Sequence, residues 1–141
     1  MSIWQKPISV DILTRSHLKT AVNPLGIVFT EVGEDTICAK MPVSPQTHQP
    51  FGLLHGGLNV VLAETLGSCG AYYSCPEGFH TVGLEVNANH LRGVREGWVH
   101  GTTKAFHIGQ STHVWSIEIV DDQGRLSCIS RITMLILKDR A

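Results

Sequence analysis

The sequence predicts an α+β fold in which a single antiparallel sheet wraps one long central helix. Three observations lead there. A small and apolar stretch runs from residue 56 to about residue 73 without a proline. After Pro76 the apolar residues alternate, with Val82, Leu84 and Val86 set between Gly83, Glu85 and Asn87. Further runs of the same kind follow to the C-terminal end, separated by short turns, which makes them antiparallel neighbours. A helix and a sheet bury their apolar surfaces most simply against each other. The 141 residues, 43% of them apolar, suffice for one domain with its own core.

Each element has a local reason. In SVDILTRSHLKTAV, Val10, Ile12, Leu13 and Leu18 form a modest amphipathic helix signal behind Ser9, a plausible N-cap. LGIVFTEVGEDTICAKMPV reads as two strands around a turn at Gly33-Glu34-Asp35, because β-branched residues cluster on both sides of it. Pro42, Pro45 and Pro50 then impose an irregular loop. The long helix follows, about five turns or roughly 27 Å. HTVGLEVNANHLRG, GWVHGTTKAFHIG, STHVWSIEIVDD and RLSCISRITMLILK supply the long strands.

Composition narrows the function. The formal net charge is −1, which argues against a nucleic-acid module. No basic-then-apolar leader opens the sequence. Cys38, Cys69, Cys75 and Cys128 lack zinc-site spacing and are too sparse for a disulfide scaffold, so reduced thiols and a cytoplasmic location are expected. The eight histidines form no H-x₃-H or H-E-x-x-H pair, so no metal is expected. The long helix is not expected to cross a membrane, because it carries Glu64 and Asn59.

Chemistry concentrates in residues 49–73. Glu64 is the only charged side chain between Phe51 and Pro76. Its expected neighbours on one helix face are Gly57, Val60, Val61, Ser68 and Ala71, which predicts a partly desolvated and hence more basic carboxylate. Gly56 and Gly57 leave unshielded amides at the helix entrance, the positive end of the dipole, a ready cradle for a polarised carbonyl. His55 and Gln49 stand just before it as neutral hydrogen-bonding groups. Residues alone leave a plainer alternative open: a surface or ion-paired Glu64, and a His55 that only caps the helix. Gly56 and Glu64 lie about 12 Å apart along the axis, so one carbonyl cannot reach both within one chain. Two antiparallel copies would remove that difficulty.

HQPFGLLHGGLNVVLAETLGS, VGLEVNANHLR and the closing SRITMLIL resemble the hotdog-fold acyl-CoA thioesterases over nearly the whole chain. The likeness is to the bacterial branch acting on aromatic acyl-CoAs, including 1,4-dihydroxy-2-naphthoyl-CoA hydrolases and proofreading thioesterases. G-x-x-HGG followed by LAE carries it most specifically. The resemblance implies a helix wrapped by a curved sheet, paired as a homodimer and often doubled to a tetramer. It implies Glu64 as nucleophile or general base, the Gly56 amide as oxyanion donor aided by Gln49 and His55, and Ser68 supporting the carboxylate or its water. Gly83, His90 and Arg92 would meet the substrate, the last two along the pantetheine and phosphates. Gly109, with Gln110 and Ser111, would take the nucleotide end. Relatives carry a basic residue in that loop, and its absence here leaves an acyl-carrier-protein substrate open. Arg131 would reach a phosphate or pair with Glu118. An acyl pocket is expected near Phe51, Leu54, Val60 and Val61. No cofactor is implied, because coenzyme A belongs to the substrate.

Two rival functions remain. A hotdog 3-hydroxyacyl-thioester dehydratase could use His55 and Glu64, but the proline-rich histidine motif of that branch is missing. A non-catalytic acyl-CoA sensor would usually adjoin a DNA-binding segment, for which 141 residues leave no room.

Overall fold

The computed structural model describes residues 1–141. Helix α1 spans Val10–His17, and Ser9 Oγ accepts from Ile12 N–H at 3.1 Å, as its capping chemistry predicts. Strands β1 (Val28–Val32) and β2 (Thr36–Val43) form the expected hairpin. Helix α2 spans Gly56–Ser74. Strands β3 (Phe79–His90), β4 (Gly97–Ile108), β5 (Thr112–Asp121) and β6 (Leu126–Lys138) complete the sheet. No helix is long and apolar enough to cross a membrane.

The sheet is six-stranded and antiparallel, in the order β1-β2-β4-β5-β6-β3. Chain neighbours are therefore sheet neighbours at β1–β2, β4–β5 and β5–β6, but not at β3. Hairpin adjacency needs a tight turn, and residues 91–96 are instead a linker tied down elsewhere. Leu91 and Arg92 donate their N–H groups to Ser127 O, and Val94 O accepts from Leu54 N–H at 2.8 Å. The linker thus passes the entrance of α2 and delivers β4 beside β2. Strand β3 remains on the far edge, paired only with β6.

The concave face of the sheet holds α2. Along β6, Cys128, Ser130, Ile132, Met134 and Ile136 are buried towards the helix, whereas Ile129, Arg131 and Leu137 are exposed on the other face, the period-two signature of a strand. Leu62, Leu66, Trp115, Ile117, Ile119 and Ile132 are essentially inaccessible to solvent. Each such large apolar side chain contributes about 2 kcal/mol on removal from water. Two tryptophans lie on the strands, Trp98 on β4 and Trp115 on β5. Trp115 is in the core, and Trp98 is half-buried with Lys40 Nζ 4.3 Å above its ring.

Helix and sheet approach closely because α2 has small residues where they meet. A Cβ on Gly67 would come 2.4 Å from Ile132 Cγ2, and one on Gly70 would come 2.7 Å from the Trp115 ring. All four cysteines are free thiols, as their spacing predicts.

Candidate active site

The entrance of α2 is built by the loop before it. Gly52 takes a φ of 73°, which glycine tolerates and other residues rarely do. Gln49 N–H donates to Leu53 O at 2.8 Å, and Gln49 Oε1 accepts from Phe51 N–H. That leaves the Gln49 amide nitrogen free to donate. His55 is the N-cap, and its Nδ1 accepts from Gly57 N–H at 2.9 Å. An accepting Nδ1 assigns the neutral ring proton to Nε2, so His55 turns a donor outwards. His55 therefore caps the helix, the plainer of its two expected roles, without losing its capacity to donate.

Gly56 N–H has no partner in the chain. The imidazole of His90, from the end of β3, lies against Gly56, where a Cβ would be 2.9 Å from His90 Nε2. Gln49, Leu54, Gly56, His90 and Arg92 line one cleft of about 370 Å³. Arg92 also borders an adjoining polar cleft of about 700 Å³ with Arg95, Arg125 and Asp122. Asn59 lines the first cleft too, and sequence reasoning used it only as a polar residue unsuited to a membrane. The signal available was a lone amide, Leu58-Asn59-Val60, in an otherwise apolar pair of turns.

Glu64 lies two turns further along. The expectation of a desolvated carboxylate is not met within the chain, because Glu64 is exposed. The sheet covers only the opposite side of α2. The face that Glu64 shares with Gly57, Val61 and Ser68 has no layer over it, and an apolar helix surface is not by itself a buried one. Ala71 does not belong to this face, being fully buried, and Tyr72 stands there instead. Gly83 of β3 lies against the carboxylate, with Glu64 Oε1 3.6 Å from where its Cβ would be. Ser68, one turn on, has only Met134 Sδ at 3.9 Å as partner. Ser68, Thr65, Gly83, Tyr72 and Met134 border a second cleft of about 440 Å³. Burial pushes the neighbouring Cys69 thiol up to about 12, so it stays protonated and is a poor nucleophile.

Several expected groupings do not form within one chain. Phe51 is 81% exposed, Leu54 is buried in the first cleft, and Val60 and Val61 are half-buried along α2, so these four residues do not enclose a common pocket. The reason is again the uncovered flank of α2, since a pocket needs a second wall. Gly109 makes a tight β4–β5 turn through its N–H to Thr112 O at 2.9 Å, with Gln110 and Ser111 exposed beside it. Strand register puts this turn near Leu135, seven residues along β6 from the Cys128–His90 pair, hence about 23 Å from the first cleft. Arg131 faces away from α2, its guanidinium 5.1 Å from the Phe106 ring centroid. It makes no ion pair with Glu118, although both border a shallow cleft on that outer face.

A curved antiparallel sheet closed on one long helix, with an unpaired amide at the helix entrance and a carboxylate on its bare flank, is the hotdog fold carrying groups suited to acyl transfer chemistry. The chain belongs to the Thioesterase superfamily, which residues 51–128 match, and it is a thioester hydrolase. It is 51% identical over 136 residues to the 1,4-dihydroxy-2-naphthoyl-CoA hydrolase of Escherichia coli K12, covering 96% of this chain and 99% of the relative. It is 44% identical to a proofreading thioesterase of Cronobacter sakazakii, covering 96% and 98%. A crystal structure of a Haemophilus influenzae thioesterase superposes with a TM-score of 0.94 at 42% identity, covering 96% of this chain and 95% of that one.

Proposed function

We propose that residues 1–141 act as a single cytoplasmic hotdog domain that hydrolyses aromatic or medium-chain acyl-CoA, with 1,4-dihydroxy-2-naphthoyl-CoA as the leading substrate. The observation carrying the reading is the unpaired Gly56 N–H, set in a cleft that lacks a carboxylate, with Glu64 standing about 12 Å further along the same helix. A second copy supplies what the first lacks. Strand β3 is a twelve-residue edge with Val82 and Leu84 exposed, and a long apolar edge invites pairing. Antiparallel pairing of two β3 edges about Val86 sets Gly83 of one copy opposite Asn89 of the other. Glu64, which lies against Gly83, then faces the second copy's His90 and Gly56. The same arrangement covers the bare flank of α2, gives the acyl pocket its missing wall, and brings the Gly109–Ser111 turn towards the nucleotide end of the substrate.

The reaction follows. Gly56 N–H, assisted by Gln49 and His55 Nε2–H, polarises the thioester carbonyl and holds the developing oxyanion. Glu64 either attacks that carbon to give an anhydride or takes a proton from a water that Ser68 positions. The C–S bond breaks, and the thiolate leaves with the electron pair and takes up a proton that comes from water; in the anhydride route a water then cleaves the anhydride and restores the Glu64 carboxylate, and the free acid and coenzyme A depart. His90 and Arg92 guide the pantetheine and phosphates, and Arg131 meets a charge at the outer face. Two dimers pair further into a tetramer. Coenzyme A arrives with the substrate, and the residues use no other cofactor.

Release of thiol from benzoyl-CoA, 1,4-dihydroxy-2-naphthoyl-CoA and acyl-carrier-protein thioesters, compared by kcat/KM, tests the reading. The expected order puts an aromatic acyl-CoA first. A preference for carrier-protein thioesters would replace coenzyme A as the substrate thiol, and no release from any of them would end the proposal.

A further inference from the structure

Asn59 is 5% exposed, yet its side-chain Oδ1 has no hydrogen-bond partner. Only one other buried side-chain polar atom shares that condition: Nε1 of Trp115, whose ring stacks against Trp4 in the core. A buried polar atom left without a partner costs stability, and native folds rarely keep one without use. Asn59 borders the same cleft as Gly56, Gln49 and His90. It follows Gly56 by three positions, so the two share a helix face. Helical side chains lean towards the N-terminus, which points the amide back at the unpaired Gly56 N–H. The cleft therefore holds two free donors, Gly56 N–H and the Gln49 amide, beside one amide without a partner. The donors suit the carbonyl of a thioester and leave the Asn59 oxygen to a different group.

We infer that Asn59 is a specificity-determining residue whose Oδ1 accepts a hydrogen bond from an N–H or O–H carried by the thioester close to its carbonyl. This rests on the thioesterase reading above. Two parts of such a substrate carry the required chemistry. One is a hydroxyl on the acyl ring next to the carbonyl, and the other is the first amide of the thiol arm. Carbonyl and donor would be read together, the carbonyl by Gly56 and the donor one helical turn away. Acyl-CoA with a donor would be favoured over an isostere without one, because the isostere strands the buried oxygen.

The test compares wild type with Asn59→Leu, which keeps the branched shape at Cγ and removes both polar atoms. Hydrolysis is followed on benzoyl-CoA and 2-hydroxybenzoyl-CoA, and binding on their non-hydrolysable thioether analogues by calorimetry. Asn59→Leu is expected to lower kcat/KM and analogue affinity about tenfold, the size of one hydrogen bond. Its urea midpoint should hold or rise, since the orphan oxygen is gone. Loss confined to the 2-hydroxy compounds assigns the acyl hydroxyl as donor, and equal loss on both assigns the thiol-arm amide. Unchanged kcat/KM and affinity would overturn the inference. So would a lowered urea midpoint with affinity intact, which would make Asn59 a structural residue or one paired across a dimer. Should Asn59→Leu fail to fold, Asn59→Ala is read in the same way. If the wild type hydrolyses neither substrate, the preference for simple aromatic acyl-CoA in the reading above fails, while the binding arm still decides the role of Asn59.

Discussion

The two flanks of α2 are made from similar residue types and do opposite jobs. On the sheet side, Ala63, Gly67, Gly70 and Ala71 are buried, and the missing side chains of Gly67 and Gly70 are filled by Ile132 and Trp115. On the other side, Gly57 and Glu64 are exposed, Ser68 has only Met134 Sδ as partner, and Tyr72 is left part-exposed under Lys6. A glycine on the first flank sets how closely helix and sheet approach. Gly56, at the entrance, instead admits the His90 ring against the backbone and leaves an amide free. Packing and chemistry are thus divided between two sides of one helix, and each side can be perturbed alone.

The largest effect should come from the bare flank. Glu64→Gln keeps the shape and removes the base, so kcat should fall about a thousandfold. Glu64 has no hydrogen-bond or ion partner within its own chain and Gln keeps its shape, so stability should change by no more than about 0.5 kcal/mol, read from urea denaturation. Near-normal kcat on the best acyl-CoA would remove Glu64 from the chemistry.

A mixture sharpens the contrast further. Gly56→Val should displace His90 and block the amide, while leaving Glu64 intact. Co-refolded in equal amounts with Glu64→Gln, it should restore about a quarter of wild-type turnover, since half the dimers are mixed and each has one intact site. No activity above the separate variants would place the whole site within one chain.

The sheet-facing flank should answer in stability instead. Gly67→Ala puts a methyl group into Ile132, and overpacking of this kind costs about 1–3 kcal/mol. The urea midpoint should drop. An unchanged midpoint would mean that the helix shifts freely on the sheet.

The smallest effect is a pH dependence of the scaffold. Burial holds His113 below the usual imidazole range, with a further downward push from His107 and an opposing contact from the Gly109 backbone. Its contribution is full above about pH 6.5 and is lost as pH falls towards the folded value, because the unfolded chain takes the proton first. Burial pushes Asp121 up, but hydrogen bonds from Arg125 and Gln123 outweigh that and leave it below the ordinary carboxylate range. It adds a loss of the same sign in more acidic solution. Urea midpoints should decline from pH 7 to pH 5, and less so in His113→Gln.

Local pattern made much of this legible. Ser9 marks a helix start, the Gly33–Asp35 turn closes the first hairpin, and the alternation after Pro76 marks the strands, because each depends on residues a few positions apart. The strand order was not legible. Alternation tells which face a residue occupies, and nothing in residues 91–96 announces that β3 belongs beside β6. Gln49, Gly56 and His90 were singled out and do converge, whereas Phe51, Val60 and Val61 do not close a pocket with Leu54. Apolar character shows what prefers to leave water. It does not say whether the cover comes from the same chain. Asn59 escaped for a related reason, since an amide acquires meaning only when its lack of a partner is seen.

The open flank of α2 also bears on how such a chain can change over generations. Substitutions at Glu64 or Ser68 leave the core between helix and sheet largely alone, so new catalytic repertoires can be sampled there without endangering survival of the fold. Gly67 and Gly70 have no comparable freedom, and inherited variation should thin out along that stripe.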